Sequence, residues 1–332
     1  MEVRATSESE MSQMRRAAVA ELLACERRIL DLSSLPLDDP MSLHRVSSVT
    51  HDLCSAIVRA ERCAVPRAEI EAHLAAIRPV YGLSPFVGRL QSWPRGYEGD
   101  FETIDYLMRA ENRASRGTLA YWIEQFCLSS PMAQQHRNKV AAQAALIEHC
   151  ARQAGDGARI LILAAGGAPD VCLAAPVLHE RHCHIVLNDL DPEALIFARL
   201  QTQEIGDRIQ TVVGNTLTSV TRLAKLGPYD LVLAGGLFDY LPDRHGRFLV
   251  SQIVKRLLAR RGCFFFTNIA HGNPYRPLIE YLGAWRLIER TREEIEQLLD
   301  PDMPEVELRV SRDATGLTLL ATLQLKKQIR ST

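Results

Sequence analysis

The spacing of apolar positions changes near residue 155, and this change predicts two kinds of structure in one chain. Before that point no glycine occurs until Gly82, and Ala, Leu, Arg and Glu recur at helical spacing. The pattern predicts an all-α N-terminal domain over residues 1–155. The predicted helices lie near Glu8–Leu32, Met41–Ala60, Arg67–Ile77, Phe101–Ala110, Thr118–Leu128 and Pro131–Gln153.

After residue 155, short apolar runs alternate with amphipathic segments. Strands are predicted near residues 159–164, 184–188, 208–213, 230–234 and 262–268, and helices near 168–179, 191–204, 216–225 and 243–259. This rhythm is typical of a parallel sheet with helices on both faces. Glu305–Val310 and Gly316–Leu325 predict a terminal hairpin. We therefore expect an α/β, Rossmann-like sheet with a C-terminal antiparallel hairpin over residues 156–332.

The first strand–turn–helix unit of this sheet carries the clearest functional signal. The apolar run Arg159–Leu163 is followed by Gly166-Gly167, and the next apolar run, His184–Leu187, is followed by Asp189. Glycine allows a sharp turn and a close approach of the backbone to a ligand. A carboxylate at the carboxyl end of the second strand accepts both hydroxyls of a ribose. The unit predicts a nucleoside-binding crevice.

The turn itself narrows the choice of nucleoside. A dinucleotide site usually shows G-x-G-x-x-G, which seats pyrophosphate on a helix N-terminus. This chain has Gly166-Gly167-Ala168-Pro169-Asp170, and Asp170 would repel a phosphate there. S-adenosylmethionine, which carries a ribose but no phosphate, is the expected cofactor, and a nicotinamide oxidoreductase is disfavoured. The alternative is an α/β domain in which these glycines only allow the backbone to turn and bind no ligand.

Two later strands end in polar loops at the same predicted sheet edge. After the third strand, Asn215 offers an amide donor and acceptor for an adenine edge, or it caps the following helix. After the fourth strand, Gly235 precedes Asp239 and Tyr240. Loops at this edge often bind ligands. The alternative for Asp239 is a cap of the helix that begins near Asp243.

Two further segments are candidates for acceptor chemistry. After the fifth strand, Arg276 is placed to clamp a substrate carboxylate, and His271 is either a base or a solvated loop residue. Upstream, the aromatic and charged stretch Trp93–Glu102, which contains Tyr97, interrupts the helical pattern. It is either a lid over the crevice or a loop between helices.

Composition narrows the class of protein further. The chain has 332 residues, of which 47% are hydrophobic, and a net charge of −1. We expect no nucleic-acid partner and no polybasic membrane contact. The sequence shows no charged-then-apolar leader and no apolar run that could span a bilayer, so the expected location is cytoplasmic. Eight scattered cysteines predict reduced core thiols and no metal site.

Six motifs occur in an order that resembles a known family. They are GYEGDFETI (96–104), SSPMAQQHRNKV (129–140), ILILAAGGAPDV (160–171), LNDLDPEAL (187–195), AGGLFDYLPDR (234–244) and NPYRPLIEYLGAWRLIERT (273–291). Together they resemble the bacterial class I methyltransferase family of extracellular-factor 3-hydroxypalmitic acid methyl ester biosynthesis. The resemblance covers roughly residues 90–325. It implies an S-adenosylmethionine donor and methyl ester formation on a fatty-acid-like carboxylate.

The resemblance also completes the set of candidate residues. It adds Tyr97, Asp100 and Glu102 from the lid motif, and Arg137 with Asn138 near the charged end of the donor. The expected donor-binding residues are Asp100, Arg137, Ala165, Gly166, Gly167, Asp189, Leu190, Asn215, Thr216, Gly235, Asp239 and Tyr240. The expected catalytic residues are Tyr97, His271 and Arg276.

Three functional hypotheses follow from the sequence. The first is an O-methyltransferase that esterifies a small carboxylic acid in secondary-metabolite or signal-molecule biosynthesis. The second is an N-, O- or C-methyltransferase acting on another natural-product intermediate. The third is a binding or scaffold protein that keeps the fold without turnover. A small-molecule substrate is expected in the first two, and the N-terminal helices offer faces for a homodimer.

Overall fold

The computed structural model describes residues 8–34, 36–154, 156–300, 303 and 306–325. Its packing separates a helical unit, Met1–Ala133 with Gly272–Arg286, from a sheet unit, Gln134–His271 with Leu287–Thr332. This division differs from the predicted boundary after residue 155. Residues 134–154 pack with the sheet, and residues 272–286 return to the helices.

The helical unit is built as the apolar spacing predicts. Its helices are α1 (Glu8–Leu30), α2 (Met41–Arg62), α3 (Arg67–Leu74), α4 (Arg78–Gly82), α5 (Pro85–Ser92), α6 (Phe101–Arg109) and α7 (Leu119–Ser129), with a π-helical turn at Leu278–Leu282. On α1, the buried residues Ala18, Leu22, Cys25 and Ile29 recur every three or four positions. That spacing places them on one stripe, which packs into the core.

The structure corrects one predicted helix of this unit. The helix predicted over Arg67–Ile77 ends at Leu74, and α4 begins four residues later with Pro79 in its first turn. Proline disfavours helical geometry in the residue before it and has no N–H to donate, which favours a break between two helices at this point. A further helix, α5, lies where none is predicted. It is capped by the Ser84 hydroxyl, which accepts from Val87 N, and starts at Pro85.

The sheet unit contains the predicted alternation of helices and strands. Its elements are α8 (Pro131–Ala154), β1 (Arg159–Leu163), α9 (Pro169–Glu180), β2 (His184–Asp189), α10 (Pro192–Gln201), β3 (Ile209–Val213), α11 (Thr216–Ala224), β4 (Tyr229–Ala234), α12 (Asp243–Gln252), β5 (Leu258–Ile269), α13 (Arg292–Glu296), β6 (Val306–Arg312) and β7 (Thr318–Leu325). Glu305, the first residue of the predicted hairpin, lies outside the described residues.

The strand order confirms the predicted Rossmann-like sheet. The seven strands are ordered β3-β2-β1-β4-β5-β7-β6. Strands β1 to β5 are parallel, and β7 pairs antiparallel with both β5 and β6. Both faces are covered. One core cluster contains Ile160, Ile162 and Ile147 of α8, and the other contains Leu161, Leu163 and Leu249 of α12.

The boundary between α12 and β5 also differs from the prediction. The helix predicted near residues 243–259 ends at Gln252, a π-helical turn covers Ile253–Leu257, and β5 begins at Leu258. The pairing of β4 with β5 shifts register between Tyr229 and Leu231. A Cβ at Gly262 would lie 2.6 Å from the Tyr229 carbonyl oxygen, so this irregularity requires glycine.

Two global features bear on the predicted class of protein. Among the described residues, no helix is both long enough and apolar enough to cross a membrane. The eight cysteines are thiols and not disulfides, and five of them are buried. Burial of these five agrees with the predicted reduced core thiols.

Glu124 yields a stability prediction for the helical unit. Its carboxylate is fully buried and accepts from Ser84 Oγ, Phe86 N, Tyr106 Oη and Arg113 N. Replacing it with Gln turns one acceptor into a donor that faces donors. We expect Glu124→Gln to lower the free energy of unfolding by about 2 kcal/mol, measured by chemical denaturation. Glu111→Gln, at an exposed position nearby, is the control and should change stability little.

Candidate functional site

The carboxyl ends of the parallel strands define a candidate site in the sheet unit. Strand β1 pairs with β2 on one side and β4 on the other, so the direction of chain progression reverses between β1 and β4. Open α/β sheets bind ligands outside the carboxyl ends of the strands at such a switch point. The loops after β1, β2, β3 and β4 (residues 164–168, 189–191, 214–216 and 235–241) are called the edge site below.

The turn after β1 has an unusual backbone. Ala164, Gly166 and Ala168 have φ angles of 49°, 52° and 50°. The left-handed region is uncommon for alanine and costs energy there, and such conformations cluster at ligand sites. Gly166 N donates to Oδ2 of Asp189 at 2.8 Å. The turn is therefore tied directly to the acidic residue at the end of β2.

Asp189 is half-buried at the centre of the edge site. Its Oδ2 accepts from Gly166 N and its Oδ1 accepts from Asp191 N at 2.9 Å. Burial raises the pKa of this carboxyl, while the backbone N–H donors oppose the shift. Each oxygen uses one lone pair in these contacts and can accept a further bond. The neighbouring Leu190 is 67% exposed and offers an apolar surface beside the carboxylate.

Asn188 holds the ends of β2 and β3 together. It is fully buried, and its Nδ2 donates to the carbonyl oxygens of Val212 and Gly214 at 2.8 and 2.9 Å. Its Oδ1 accepts from the Thr216 hydroxyl at 2.8 Å, and its carbonyl oxygen accepts from Ala165 N at 3.0 Å. The predicted ligand residue Thr216 thus directs its hydroxyl to Asn188. Sequence reasoning missed Asn188, although an amide inside an apolar strand is a visible signal.

Asn215 fits both interpretations that the sequence leaves open. Its Oδ1 accepts from Leu217 N at 2.9 Å, which makes it the N-cap of α11. The side chain is exposed at the edge site. Its Nδ2 has no hydrogen-bond partner among the described residues, so one donor is available to a ligand.

The loop after β4 lies closely against α8. A Cβ at Gly235 would approach Oε1 and Nε2 of Gln143 to 2.2 and 2.4 Å. Gln143 is buried on α8, and its Nε2 donates to the carbonyl oxygen of Lys139 at 3.2 Å. Thr267 Oγ1 donates to the Gly235 carbonyl oxygen at 2.9 Å. A larger residue at position 235 would therefore displace the Gln143 amide, whichever ligand is bound.

Asp239 and Lys139 form a buried ion pair within the sheet unit. Lys139 Nζ lies 3.3 Å from Oδ2 of Asp239, and the side chains are 4% and 3% exposed. Oδ1 of Asp239 accepts from Ile269 N at 2.7 Å. Burial raises the pKa of Asp239, and the charge of Lys139 opposes that rise. The helix α12 is preceded by Pro242 and has no side-chain cap, so Asp239 does not cap it.

Arg290 fixes the shape of the same loop. Its guanidinium is 1% exposed and donates to the carbonyl oxygens of Phe238 and Leu241 at 2.7 and 2.5 Å. It also bonds Oδ1 of Asn268 at 2.5 Å and Oδ1 of Asp243 at 2.8 Å. Arg290 could not be predicted from the sequence, because its partners lie far away along the chain.

The remaining predicted residues of the sheet unit lie in polar surroundings. Arg137 is half-buried on α8, and its Nε donates to Oε1 of Gln134 at 3.0 Å. Tyr240 is 39% exposed in the loop after β4. His271 is exposed, and its imidazole has no hydrogen-bond partner among the described residues. His271 is thus a solvated loop residue in this structure.

Three predicted residues belong to the helical unit, and Asp100 and Arg276 have partners there. Asp100 is buried, caps α6 by accepting from Thr103 N at 3.0 Å, and pairs with Arg89 Nη2 at 2.6 Å. Arg276 forms ion pairs with Glu61 and Glu280, and these contacts, the Glu61 contact first, raise its pKa. Tyr97 is 40% exposed.

Asp100 and Arg276 thus have full structural roles, and their predicted ligand roles stay predictions. Among the described residues, no group of three or more His, Cys, Asp or Glu side chains is arranged to hold a metal ion.

Comparison with known proteins finds similar solved structures but assigns the chain to no family. No family model and no curated protein matches the chain. A possible exported protein from Bordetella parapertussis is similar over 97% of this chain and 100% of its own, with 15% identity and a TM-score of 0.57. A protein of proposed methyltransferase activity from Thermobifida fusca YX is similar over 68% of this chain and 93% of its own, with 15% identity and a TM-score of 0.51.

The Lys139–Asp239 pair gives a prediction for the edge site. Lys139→Met leaves a buried carboxylate without its counter-ion, so we expect a loss of about 3–5 kcal/mol in the free energy of unfolding, measured by urea denaturation. Adding Asp239→Asn should recover part of that loss. Arg152→Met removes an exposed ion pair with Glu148 on the same helix and should cost less than about 1 kcal/mol. Equal losses for Lys139→Met and Arg152→Met would contradict the argument.

Asp170, in the first turn of α9, gives a pH prediction. Its carboxyl is buried, and burial raises its pKa from 3.8 to about 6. The folded state therefore holds the proton more tightly than the unfolded state. The contribution of Asp170 to the free energy of unfolding is fully present below pH 3.8 and is lost as the pH rises to about 6. This contribution is about 3 kcal/mol. Asp170→Asn should remove this slope in denaturation measured from pH 4 to 7, and an unchanged slope would contradict the assignment.

Proposed function

We propose that this protein transfers a methyl group from S-adenosylmethionine to a small-molecule acceptor. The observation that carries the proposal is Asp189, held beside the strained Gly166 turn at the switch point of the sheet. The fold of this protein is also similar to that of the Thermobifida fusca protein of proposed methyltransferase activity. Fold alone does not determine chemistry, so the residues of the edge site carry more weight than the fold.

The residues of the edge site fit each part of this donor. The open acceptor positions of Asp189 suit the two ribose hydroxyls, and the exposed Leu190 suits one face of the adenine. The Nδ2 donor of Asn215 suits an acceptor nitrogen on the adenine edge. Gly166 and Gly167 bring the backbone towards the methionine part. The buried carboxyl of Asp170 disfavours a phosphate at the same helix start.

S-adenosylmethionine supplies an activated methyl group when it is bound. The protein then has to hold the acceptor in line with the donor and exclude water. A carboxylate acceptor is already ionised at neutral pH and needs no strong base. Asp239 is occupied by Lys139 and the Ile269 N–H, so it is a poor candidate for a base. We therefore place O-methylation of a carboxylic acid first.

Methylation at nitrogen, carbon or a hydroxyl is the second candidate. His271 supports it, because its imidazole is exposed just after β5 and has no hydrogen-bond partner among the described residues, which leaves it open to a hydroxyl or amine acceptor. The proposal also gives Tyr97 and Arg276 the role of orienting the acceptor. It gives a role in contacting the donor to four further residues, Asp100, Arg137, Gly235 and Tyr240. A cytoplasmic location, a place in natural-product biosynthesis and a homodimer through the N-terminal helices also belong to it.

Calorimetry with S-adenosylhomocysteine tests the donor site. We expect micromolar binding to the unmodified chain. Asp189→Ala should weaken it at least tenfold, because about 1.5–3 kcal/mol is lost with a hydrogen bond to a charged group. Asp207→Ala changes an exposed acid of the same unit and should leave affinity unchanged. Equal affinity of the Asp189→Ala variant and the unmodified chain would refute the ribose assignment.

A second experiment separates the acceptor classes. The protein is incubated with S-adenosylmethionine carrying a deuterated methyl group and with matched panels of carboxylic acids, alcohols and amines. Mass spectrometry then locates the label. A labelled methyl ester supports the first candidate, and a labelled amine or ether supports the second. Binding of the donor without labelling of any panel member supports a scaffold without turnover.

A further inference from the structure

The helical unit contains a pocket lined entirely by its own residues. The pocket has a volume of about 430 Å³, within the range of small-molecule sites. Three arginines, three glutamates and two aromatic rings give the pocket its chemical character. The lining includes Arg67, Arg78, Trp93, Glu98, Glu280 and Tyr281.

Two aromatic side chains give the pocket rigid apolar walls. The Tyr281 ring lies 4.4 Å from the guanidinium carbon of Arg67, and its hydroxyl donates to Glu61 at 2.8 Å. The Trp93 indole N–H donates to the Ala284 carbonyl oxygen at 3.2 Å, while 38% of the side chain stays exposed. Fixed rings of this kind bind a flat or apolar ligand body at little cost in conformational entropy.

Most of the charges around the pocket are neutralised within the protein. Arg67 pairs with Glu71 at 2.7 Å and with Glu280. Glu280 also accepts from Arg276 at 3.0 Å and lies 4.0 Å from Arg286 Nε. These groups form a closed network around a single central carboxylate. Such a network needs no ligand to be satisfied.

Two charges of opposite sign stand outside this network. Arg78 is half-buried, and its Nη1 donates to the Tyr281 carbonyl oxygen at 2.8 Å. Glu98 is half-buried, and Oε2 accepts from the backbone N–H of Arg286 at 2.8 Å. Among the described residues, neither side chain has an oppositely charged partner within ion-pair distance. Both side chains line the pocket and remain partly open to it, so both retain hydrogen-bonding capacity for a charged ligand.

We propose that this pocket binds a small zwitterion that carries a carboxylate, an ammonium group and an apolar body. The carboxylate is held by the fork of the Arg78 guanidinium, and the ammonium is held by the Glu98 carboxylate. The body lies against Trp93 and Tyr281. An α-amino acid with an aromatic side chain has this chemistry. This binding does not depend on methyl transfer, so it can be tested separately from the proposed function.

Three probes of one shape test the charge requirement by calorimetry on the full chain. L-Phenylalanine carries both charges, phenylpropanoate only the carboxylate, and phenethylamine only the ammonium. Saturating S-adenosylhomocysteine is present throughout, which blocks a donor site that also accepts an amino-acid group. We expect L-phenylalanine to bind at least about tenfold more tightly than either single-charge probe. Absence of L-phenylalanine binding at millimolar concentration would overturn the proposal.

Charge-neutral variants then assign the two contacts. Arg78→Gln should weaken the binding of L-phenylalanine about tenfold or more and leave the binding of phenethylamine unchanged. Glu98→Gln should weaken the binding of L-phenylalanine about tenfold or more and leave the binding of phenylpropanoate unchanged. Arg27→Gln and Glu111→Gln, exposed in the same unit, are the matched controls. Far-ultraviolet circular dichroism verifies that each variant folds. Equal binding of all three probes, or binding that survives both pocket substitutions, would show that the site lies elsewhere and overturn the assignment.

Discussion

The burial of one carboxylate, that of Asp239, organises the sheet edge on which the proposed chemistry depends. A charge at this depth is tolerated only when it is paired and hydrogen-bonded. Lys139 of α8 supplies the counter-charge, and the backbone N–H of Ile269 supplies the hydrogen bond. The Asp239 carbonyl oxygen also accepts from Ile288 N at 2.8 Å. One residue thereby joins α8, the loop after β4, the end of β5 and the chain that follows it.

The same principle recurs at three other points of the edge site, the ends of β2 and β3 and the loop after β4. Asn188 holds the ends of β2 and β3, and Arg290 holds the loop after β4, each through a buried polar side chain with several backbone partners. Interactions of this kind lock the loops before a ligand arrives. A preorganised backbone suits methyl transfer, because that reaction depends on positioning more than on a strong base.

The helical unit uses buried charge in two different ways. Glu124 is saturated by four donors and serves only stability. Around the pocket, Glu280 is likewise saturated by arginines, yet Arg78 and Glu98 are not. Arg78 and Glu98 lie beside aromatic walls and keep hydrogen-bonding capacity open to the pocket. This contrast within one unit is why the pocket, rather than Glu124, points to recognition.

Short-range patterns along the chain were enough to predict most elements and the residues of one βαβ unit that we propose as donor contacts. Apolar spacing located the strands, and the turn chemistry of Gly166 and the position of Asp189 follow from residues close together along the chain. Packing in three dimensions was needed to show that Lys139 meets Asp239, that Arg290 clamps the loop after β4, and that most of α8 packs with the sheet. Their partners lie 47 to 100 residues away. Periodicity reports which face of an element is buried, but the partner that a buried charge finds is chosen by packing.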